Sequence, residues 1–176
     1  MSQVDQGTNK INNFQDLNAW KNGHRLVLEI YRITKKFPRE EIFGLTNQLR
    51  RAAVSITSNI AEGFSRNYYR EKVQFYHQAL GSVTEVQNQL IIAKDVKYLP
   101  LNEFNEIFEL TVCLHKIQNG LIRKSKEIIR ETSWFSIHNS LFIIRASYFI
   151  IRLFRSHLPA NTKNLSATDY LFQVIK

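Results

Sequence analysis

The sequence predicts an all-α fold, an antiparallel up-down four-helix bundle with an extra C-terminal helical extension. Only 6 glycines and 3 prolines occur in 176 residues, so residues that break helices are scarce. Four long segments repeat apolar residues with the period of a helix. The connections between these segments are short, which favours antiparallel packing of consecutive helices.

The chain is predicted to begin with a disordered segment, Met1–Asn13, because these residues are polar and aperiodic. Helix 1 is expected from Phe14 or Gln15 to Lys36, and the Phe-Pro pair that follows ends it. Its apolar arc is wider than the ~100° that a surface helix needs. We therefore expect helix 1 to bury a second face, and we expect His24, inside that arc, to be a core residue.

Helix 2 is predicted over Leu45–Glu62, with Gly63 in a left-handed position just after it. Small or β-branched residues lie on both sides of this helix, so two neighbours can approach it closely. One of these contacts is expected inside the bundle and the other across a subunit boundary. The candidate residues for the subunit contact on helices 1 and 2 are Leu26, Ile30, Ile33, Val54, Ser58 and Ala61.

Helix 3 is expected to begin after Ser65 or Asn67, both good N-caps, and to run to about Lys94. Gly81, in its middle, costs about 1 kcal/mol relative to alanine. The expected compensation is close packing against the alanines of helix 2. Helix 4 is predicted over about Leu101–Arg130, which completes a bundle domain at residues 14–130.

The remaining residues, 131–176, differ in character from the bundle. Leu141–Phe154 is intensely apolar but carries two internal arginines, and we expect an apolar basic helix at about residues 141–156. This segment is too short to span a bilayer. It could dock on the bundle as a fifth helix, form an oligomer contact, or lie in a membrane surface. Docking is preferred, because an exposed apolar patch of this size lowers solubility. Asp169–Ile175 could form a further short helix.

The formal net charge of +9 favours polyanionic partners, either nucleic acid or an anionic membrane surface. The polar N-terminus contains no signal peptide, so a cytoplasmic location is expected.

Catalytic and metal-binding patterns are missing from the sequence. Cys113 is the only cysteine, which excludes an internal disulfide and a cysteine-based metal site, and we expect it to be a core residue. The histidines lack ligating companions at helical spacing, and no nucleophile signature or phosphate-binding glycine loop is present. We therefore predict a non-enzymatic protein without a cofactor or metal.

Basic and aromatic residues instead indicate a nucleic-acid site near the junction of helices 2 and 3 and at the end of helix 4. Arginine binds phosphate through two hydrogen bonds, and exposed tyrosine can stack on bases. Of the adjacent arginines of helix 2, Arg50 is the better candidate for an exposed charge, whereas Arg51 could serve the subunit contact. The candidate nucleic-acid-binding residues are Arg50, Arg51, Arg66, Arg70, Lys72, Arg123, Lys124 and Lys126.

Several spaced motifs of the bundle resemble one known family. They are Phe14-x-x-Leu17-x-x-Trp20, Phe37-Pro38-x-Glu40-Glu41-x-Phe43-Gly44-Leu45, Gln48-Leu49-Arg50-Arg51-Ala52-Ala53-Val54-Ser55-Ile56, Asn59-Ile60-Ala61-Glu62-Gly63 and Ala79-x-Gly81-Ser82-x-x-Glu85. Together they resemble the bacterial four-helix-bundle proteins encoded in intervening sequences of 23S ribosomal RNA genes. They are also similar to Avd, the accessory protein of diversity-generating retroelements. The resemblance covers about Phe14–Arg130, and residues 131–176 have no counterpart in it.

The resemblance implies an up-down four-helix bundle that assembles into a homopentameric ring. In the retroelement branch, it also implies a basic pentamer that associates with a reverse transcriptase and binds nucleic acid. The sequence thus leads to two main hypotheses: an oligomeric bundle that binds RNA or DNA, and a scaffold that docks a protein such as a reverse transcriptase. A membrane-surface protein is a third, less favoured hypothesis.

Overall fold

The computed structural model describes residues 11–156, without the side chains of several residues between positions 136 and 156. Every regular element in this range is helical, which confirms the all-α class. The α-helices are α1 (Asn18–Thr34), α2 (Leu45–Ser65), α3 (Tyr69–Asp95) and α4 (Leu101–Ser156), and short 3-10 turns occupy Phe14–Asp16 and Arg39–Ile42. The expectations for residues 1–10, and for a helix at Asp169–Ile175, lie outside the described residues.

The chain divides into two compact units, Met1–Ile129 and Arg130–Lys176. In the first unit, all four α-helices contribute to one apolar core. Its largest fully buried apolar side chains are Leu26, Ile30, Ile33, Leu49, Ile56, Ile60, Val83, Val86, Leu90, Ile107 and Leu114.

Contacts between successive helices join residues in opposite chain order. Ser55 of α2 bonds to Ser82 of α3 at 2.9 Å, whereas Gly63, later in α2, lies against Tyr76, earlier in α3. The same order holds for α1 with α2 in the pairs Gly23–Ile56 and Thr34–Arg50, and for α3 with α4 in the pairs Gln87–Thr111 and Lys94–Phe104. Such contacts are those of antiparallel neighbours.

The subunit hypothesis requires three residues of helix α1 to face away from the core of their own chain. Instead, α1 turns these three residues towards that core. Leu26, Ile30 and Ile33 are 0% exposed and belong to the core of their own chain. The prediction that these three residues form a subunit contact is therefore wrong. On the opposite side Leu28 is 57% exposed. His24 is also exposed, stacked on the Trp20 ring at 4.9 Å, so its assignment to the core is corrected too.

Gly63 does not end α2, which continues in helical conformation to Ser65. A Cβ atom at Gly63 would lie only 2.6 Å from Cε1 of the buried Tyr76, so glycine is needed for the close approach of α3. Gly81, which was expected to be that point of close approach, is exposed and has open space where its Cβ would be. Neither Ser65 nor Asn67 caps α3, whose N-cap is Tyr68.

Helix α4 continues past the predicted end at Arg130 without a break and reaches Ser156. The helix expected at about residues 141–156 is therefore the last part of α4. The large apolar side chains that the structure describes in this part are exposed, with Phe142 at 74% and Phe149 at 63%. None of the helices described is long and apolar enough to cross a membrane.

Candidate nucleic-acid interface

The eight basic candidates separate into groups at opposite ends of the bundle. Arg50 and Arg51 lie in the early turns of α2, whereas Arg66 follows its last residue. The fifteen residues from Arg51 to Arg66 correspond to about 22 Å along the helix, at 1.5 Å per residue. The candidates that are near one another in the sequence therefore do not form a single cluster in the structure.

The group around the α2–α3 junction is joined by the basic residues of α4. Val73 and Tyr76 of α3 form a small buried cluster with Ile122 of α4, and the partly buried Ile129 packs against it. Burial in this cluster raises the pKa of Tyr76 to about 12. Because these apolar contacts hold α3 and α4 together, Arg70 and Lys72 lie at the same end as the following basic residues of α4, namely Arg123, Lys124 and Lys126.

Arg50 serves the fold rather than a ligand. Its Nε donates a hydrogen bond of 2.8 Å to Oγ1 of the buried Thr34, and its guanidinium lies 5.0 Å from the centre of the Tyr31 ring. Arg51 is the exposed member of the pair. The expectation that Arg50 is the free charge is therefore reversed.

Arg51 lines an open cavity of about 440 Å³ between α2 and α3. Ser55 and Glu85 are also in its wall, and so is Phe43, which is 88% exposed. A cation, a carboxylate and an exposed phenyl ring give this cavity a mixed character, and it lacks the excess of positive charge that phosphate binding requires.

Lys72 acts as a cap for α2. Its Nζ donates hydrogen bonds to the backbone oxygens of Phe64 at 2.5 Å and of Gly63 at 3.4 Å. Both carbonyl groups lie in the last turn of α2, where the regular helical donors run out, and the Gly63 oxygen also accepts the backbone N–H of Arg66. Burial lowers the pKa of Lys72. In the sequence, Lys72 is recognisable only as a further basic residue. Its role as a cap depends on the sharp connection between α2 and α3.

Arg66 is also engaged within the chain. It pairs with Glu62, four residues earlier on α2, and its guanidinium lies 4.6 Å from the centre of the Phe75 ring. Lys124 is exposed but lies 3.6 Å from the Glu127 carboxylate. Both side chains therefore have an acidic neighbour that reduces their value for binding phosphate.

Arg70, Arg123 and Lys126 are left as the most available charges. All three are exposed, and none forms an ion pair within residues 11–156. The nearby Tyr68 is 71% exposed and can present its ring to a base. We call the surface formed by Arg70, Arg123, Lys126 and Tyr68 the basic end.

The remaining subunit-contact candidates lie on the outer side of α2. Val54 is 39% exposed, Ser58 is exposed and Ala61 is half-buried. They therefore stay accessible to a second subunit, unlike the three residues of α1.

A metal centre is not formed by the described residues, which contain no group of three or more His, Cys, Asp or Glu able to hold an ion. Cys113 is exposed, which corrects its expected place in the core.

Comparisons with known proteins agree with this bundle. In a crystal structure, a protein of unknown function from the S23 ribosomal protein family of Bacteroides thetaiotaomicron has a similar fold, with a TM-score of 0.56 and 17% identity. The match covers 59% of this chain and 97% of that one. No match was found among curated proteins. Similarity to Avd is tested by neither result and stays a prediction. The family model of the 23S rRNA-intervening sequence protein matches residues 15–120, so the chain belongs to that family.

Proposed function

We propose that this protein is a non-enzymatic, oligomeric helical bundle that binds RNA or DNA through the basic end. The observation that carries the proposal is the position of Arg70 at the same end of the bundle as Arg123 and Lys126, which lie more than fifty positions away in the sequence. Packing of α3 on α4 brings them to one end of the bundle without an ion pair among the described residues to neutralise them.

The physical basis of this binding is the release of counterions from phosphates. Three cations on phosphates give a slope of log affinity against log salt of about −2 to −3. Exposed Tyr68 adds stacking on unpaired bases, worth about 1–3 kcal/mol per base. The net charge of +9 attracts any polyanion at long range. The contribution of the basic end to the affinity must therefore be measured separately from this general attraction.

A matched pair of triple variants makes that separation. Arg70→Glu with Arg123→Glu and Lys126→Glu reverses the basic end. Lys21→Glu with Arg25→Glu and Lys35→Glu changes two exposed cations of α1 and the exposed one that follows its last residue, and lowers the net charge equally. Binding of labelled single-stranded RNA and of duplex DNA is measured by fluorescence anisotropy from low to moderate salt.

The basic-end variant is expected to lose more than about tenfold in affinity and to show a flatter salt dependence. The α1 variant is expected to keep most of the affinity. Equal losses in the two variants would show that only net charge matters, and undetectable binding of the unmodified chain at low salt would reject the proposal.

Self-association is proposed to use the outer side of α2 at Val54, Ser58 and Ala61. Small side chains there allow the backbones of two subunits to approach closely. Val54→Arg, at a position that is already 39% exposed, is expected to lower the mass measured by light scattering while the helical content stays unchanged.

A protein-docking scaffold is the second candidate function, and the exposed apolar surface beside Arg51 favours it. Phe43, in the wall of the α2–α3 cavity, is 88% exposed, and the preceding Ile42 is 54% exposed. Such a surface fits a protein partner, which could be a reverse transcriptase as in the retroelement branch. Association with a protein that survives nuclease treatment and is lost in Phe43→Ser would favour the scaffold over nucleic-acid binding.

A further inference from the structure

The last part of α4 carries a seven-residue sequence repeat. Residues 134–140 read WFSIHNS, residues 141–147 read LFIIRAS and residues 148–154 read YFIIRLF. In every unit the second residue is phenylalanine, the fourth is isoleucine and the fifth is histidine or arginine. A seven-residue period belongs to helices that wind around one another, because 3.5 residues per turn keep one stripe facing the partner.

The first and fourth residues of each unit form the apolar stripe of this repeat. We call this stripe the heptad seam, and it consists of Trp134, Ile137, Leu141, Ile144, Tyr148 and Ile151. Its spacing alternates regularly between three and four residues. The described members are exposed, at 56% for Trp134, 53% for Leu141 and for Ile144, and 71% for Tyr148. The side chains that a coiled coil would bury are therefore available on this helix.

We propose that the heptad seam binds the same segment of a second copy of this chain, parallel and in register. The seam is self-complementary, because each apolar layer meets an identical layer when the register is kept. Five aromatic side chains of this segment are more than half exposed, namely Trp134, Phe135, Phe142, Tyr148 and Phe149.

Part of the exposed apolar area of this segment lies on the heptad seam. At ~150–250 Å² for each aromatic side chain, the patch of five exposed rings offers roughly 500–800 Å² on each chain, of which Trp134 and Tyr148, the two rings on the seam, offer roughly 200–300 Å². The patch also exceeds the few hundred Å² that soluble monomers usually leave exposed.

The charges beside the seam favour the parallel orientation. The fifth position holds His138, Arg145 and Arg152, and the seventh position holds Ser140 and Ser147. In a parallel pair, fifth positions lie beside the partner's seventh positions, so each arginine meets a small polar residue. An antiparallel pair would place arginine beside arginine, and like charges in contact are unfavourable.

A lipid surface fits this segment less well. A helix lying in a membrane surface needs a charged face opposite its apolar face. At 100° per residue, Arg145 lies between Leu141 and Phe142, and Arg152 lies between Tyr148 and Phe149. The arginines thus interrupt the apolar surface, as flanking residues of a helix-helix contact do.

Cysteine cross-linking of the full chain tests both the contact and its orientation. Cys113, the only native cysteine, is exposed and is replaced by serine in every variant. Trp134→Cys and Tyr148→Cys then place a thiol at each end of the seam, and Asn139→Cys places one on the outer side of the helix. Oxidation is carried out in a glutathione redox buffer and followed on non-reducing gels.

Both seam variants are expected to form disulfide-linked dimers with themselves, at least about tenfold faster than Asn139→Cys, since a disulfide needs Cβ atoms ~4 Å apart. Adding Leu141→Asn and Ile144→Asn to Tyr148→Cys should remove this cross-link while the unfolding transition of the bundle persists. Equal cross-linking at Asn139 overturns the proposed contact. Cross-linking of Trp134→Cys chains with Ile151→Cys chains, but of neither with itself, overturns the parallel orientation, because an antiparallel pair sets first positions against fourth positions.

The lipid alternative and the bundle contact remain distinguishable in this design. Monomeric chains that float with phosphatidylcholine–phosphatidylserine vesicles, without cross-linking at either seam position, would identify a lipid-binding segment and reject the proposal. Association through α2 cannot generate a position-dependent pattern along residues 134–148. Nucleic-acid binding at the basic end can fail or succeed independently of this result.

Discussion

The two ends of the bundle use their cations differently. At the end where α1 finishes and α4 begins, Arg32 and Lys36 both bind Glu103, and Arg50 binds Thr34. At the opposite end Arg66 and Lys124 also have acidic partners, but Arg70, Arg123 and Lys126 are exposed and no carboxylate of the described chain pairs with them. A basic residue therefore indicates a binding surface only where no acceptor of the same chain reaches it.

The junction of α2 and α3 supports the basic end, and Gly63→Ala is the change expected to disturb it most. The added methyl would lie 2.6 Å from the buried Tyr76 ring and 3.1 Å from Cβ of Phe75. Overpacking costs about 1–3 kcal/mol, and the better helix propensity of alanine offsets up to about 1 kcal/mol of it. A net loss of roughly 1–2 kcal/mol in the free energy of unfolding is expected in urea titrations.

Gly81→Ala is the matched control for this prediction. Gly81 is exposed in the interior of α3, and nothing lies within 4 Å of the place where its Cβ would be. The same substitution should therefore stabilise the protein by about 0.5–1 kcal/mol. Stabilisation by both alanines would show that α3 does not need the close approach at Gly63.

Glycine shows how far the sequence determines this fold. A glycine near the end of an apolar pattern predicts a helix end, and the predicted starts of helices 2 and 4 agree with those of α2 at Leu45 and α4 at Leu101. Gly63 could equally permit close packing, and only the position of Tyr76 decides between the two roles. For the same reason the wide apolar arc of α1 predicted burial but not which side is buried, and Leu26, Ile30 and Ile33 were placed at a subunit boundary.

The candidate site was less predictable than the helices. Local sequence brought Arg50 and Arg51 into one cluster with Arg66, although a helix separates them by about 22 Å. The contribution of Arg123 and Lys126 depends on long-range packing of α4 on α3, which no local pattern specifies. Sequence reasoning identified the residue types but could not separate binding residues from those engaged in the fold.

Lys72→Met tests whether a cation at the junction is structural. The variant keeps an apolar side chain of similar length but removes the donor to the Phe64 and Gly63 carbonyls. Because a net hydrogen bond contributes about 0.5–1.5 kcal/mol, we expect a loss of roughly 1 kcal/mol in the free energy of unfolding. Nucleic-acid affinity should fall much less than in Arg70→Glu. A fall in affinity without a loss of stability would move Lys72 into the binding surface.

Glu103→Gln tests the paired end, and its effect on stability is expected to be the smallest. Hydrogen bonds from Lys36 and then from Arg32 hold the pKa of Glu103 below its ordinary value of 4.5. The carboxylate therefore stabilises the fold above that value, and its contribution is lost as the pH falls through the lowered pKa. Both basic partners are largely exposed, at 44% and 58%, so solvent screening limits the contribution to less than about 1 kcal/mol. Thermal unfolding of the unmodified chain and of Glu103→Gln should differ slightly at pH 7 and converge at pH 3. A difference in thermal unfolding that persists at pH 3 would indicate a packing effect of the amide. A gain in nucleic-acid affinity of Glu103→Gln at pH 7 would show that pairing with Glu103 keeps Arg32 and Lys36 from binding phosphate.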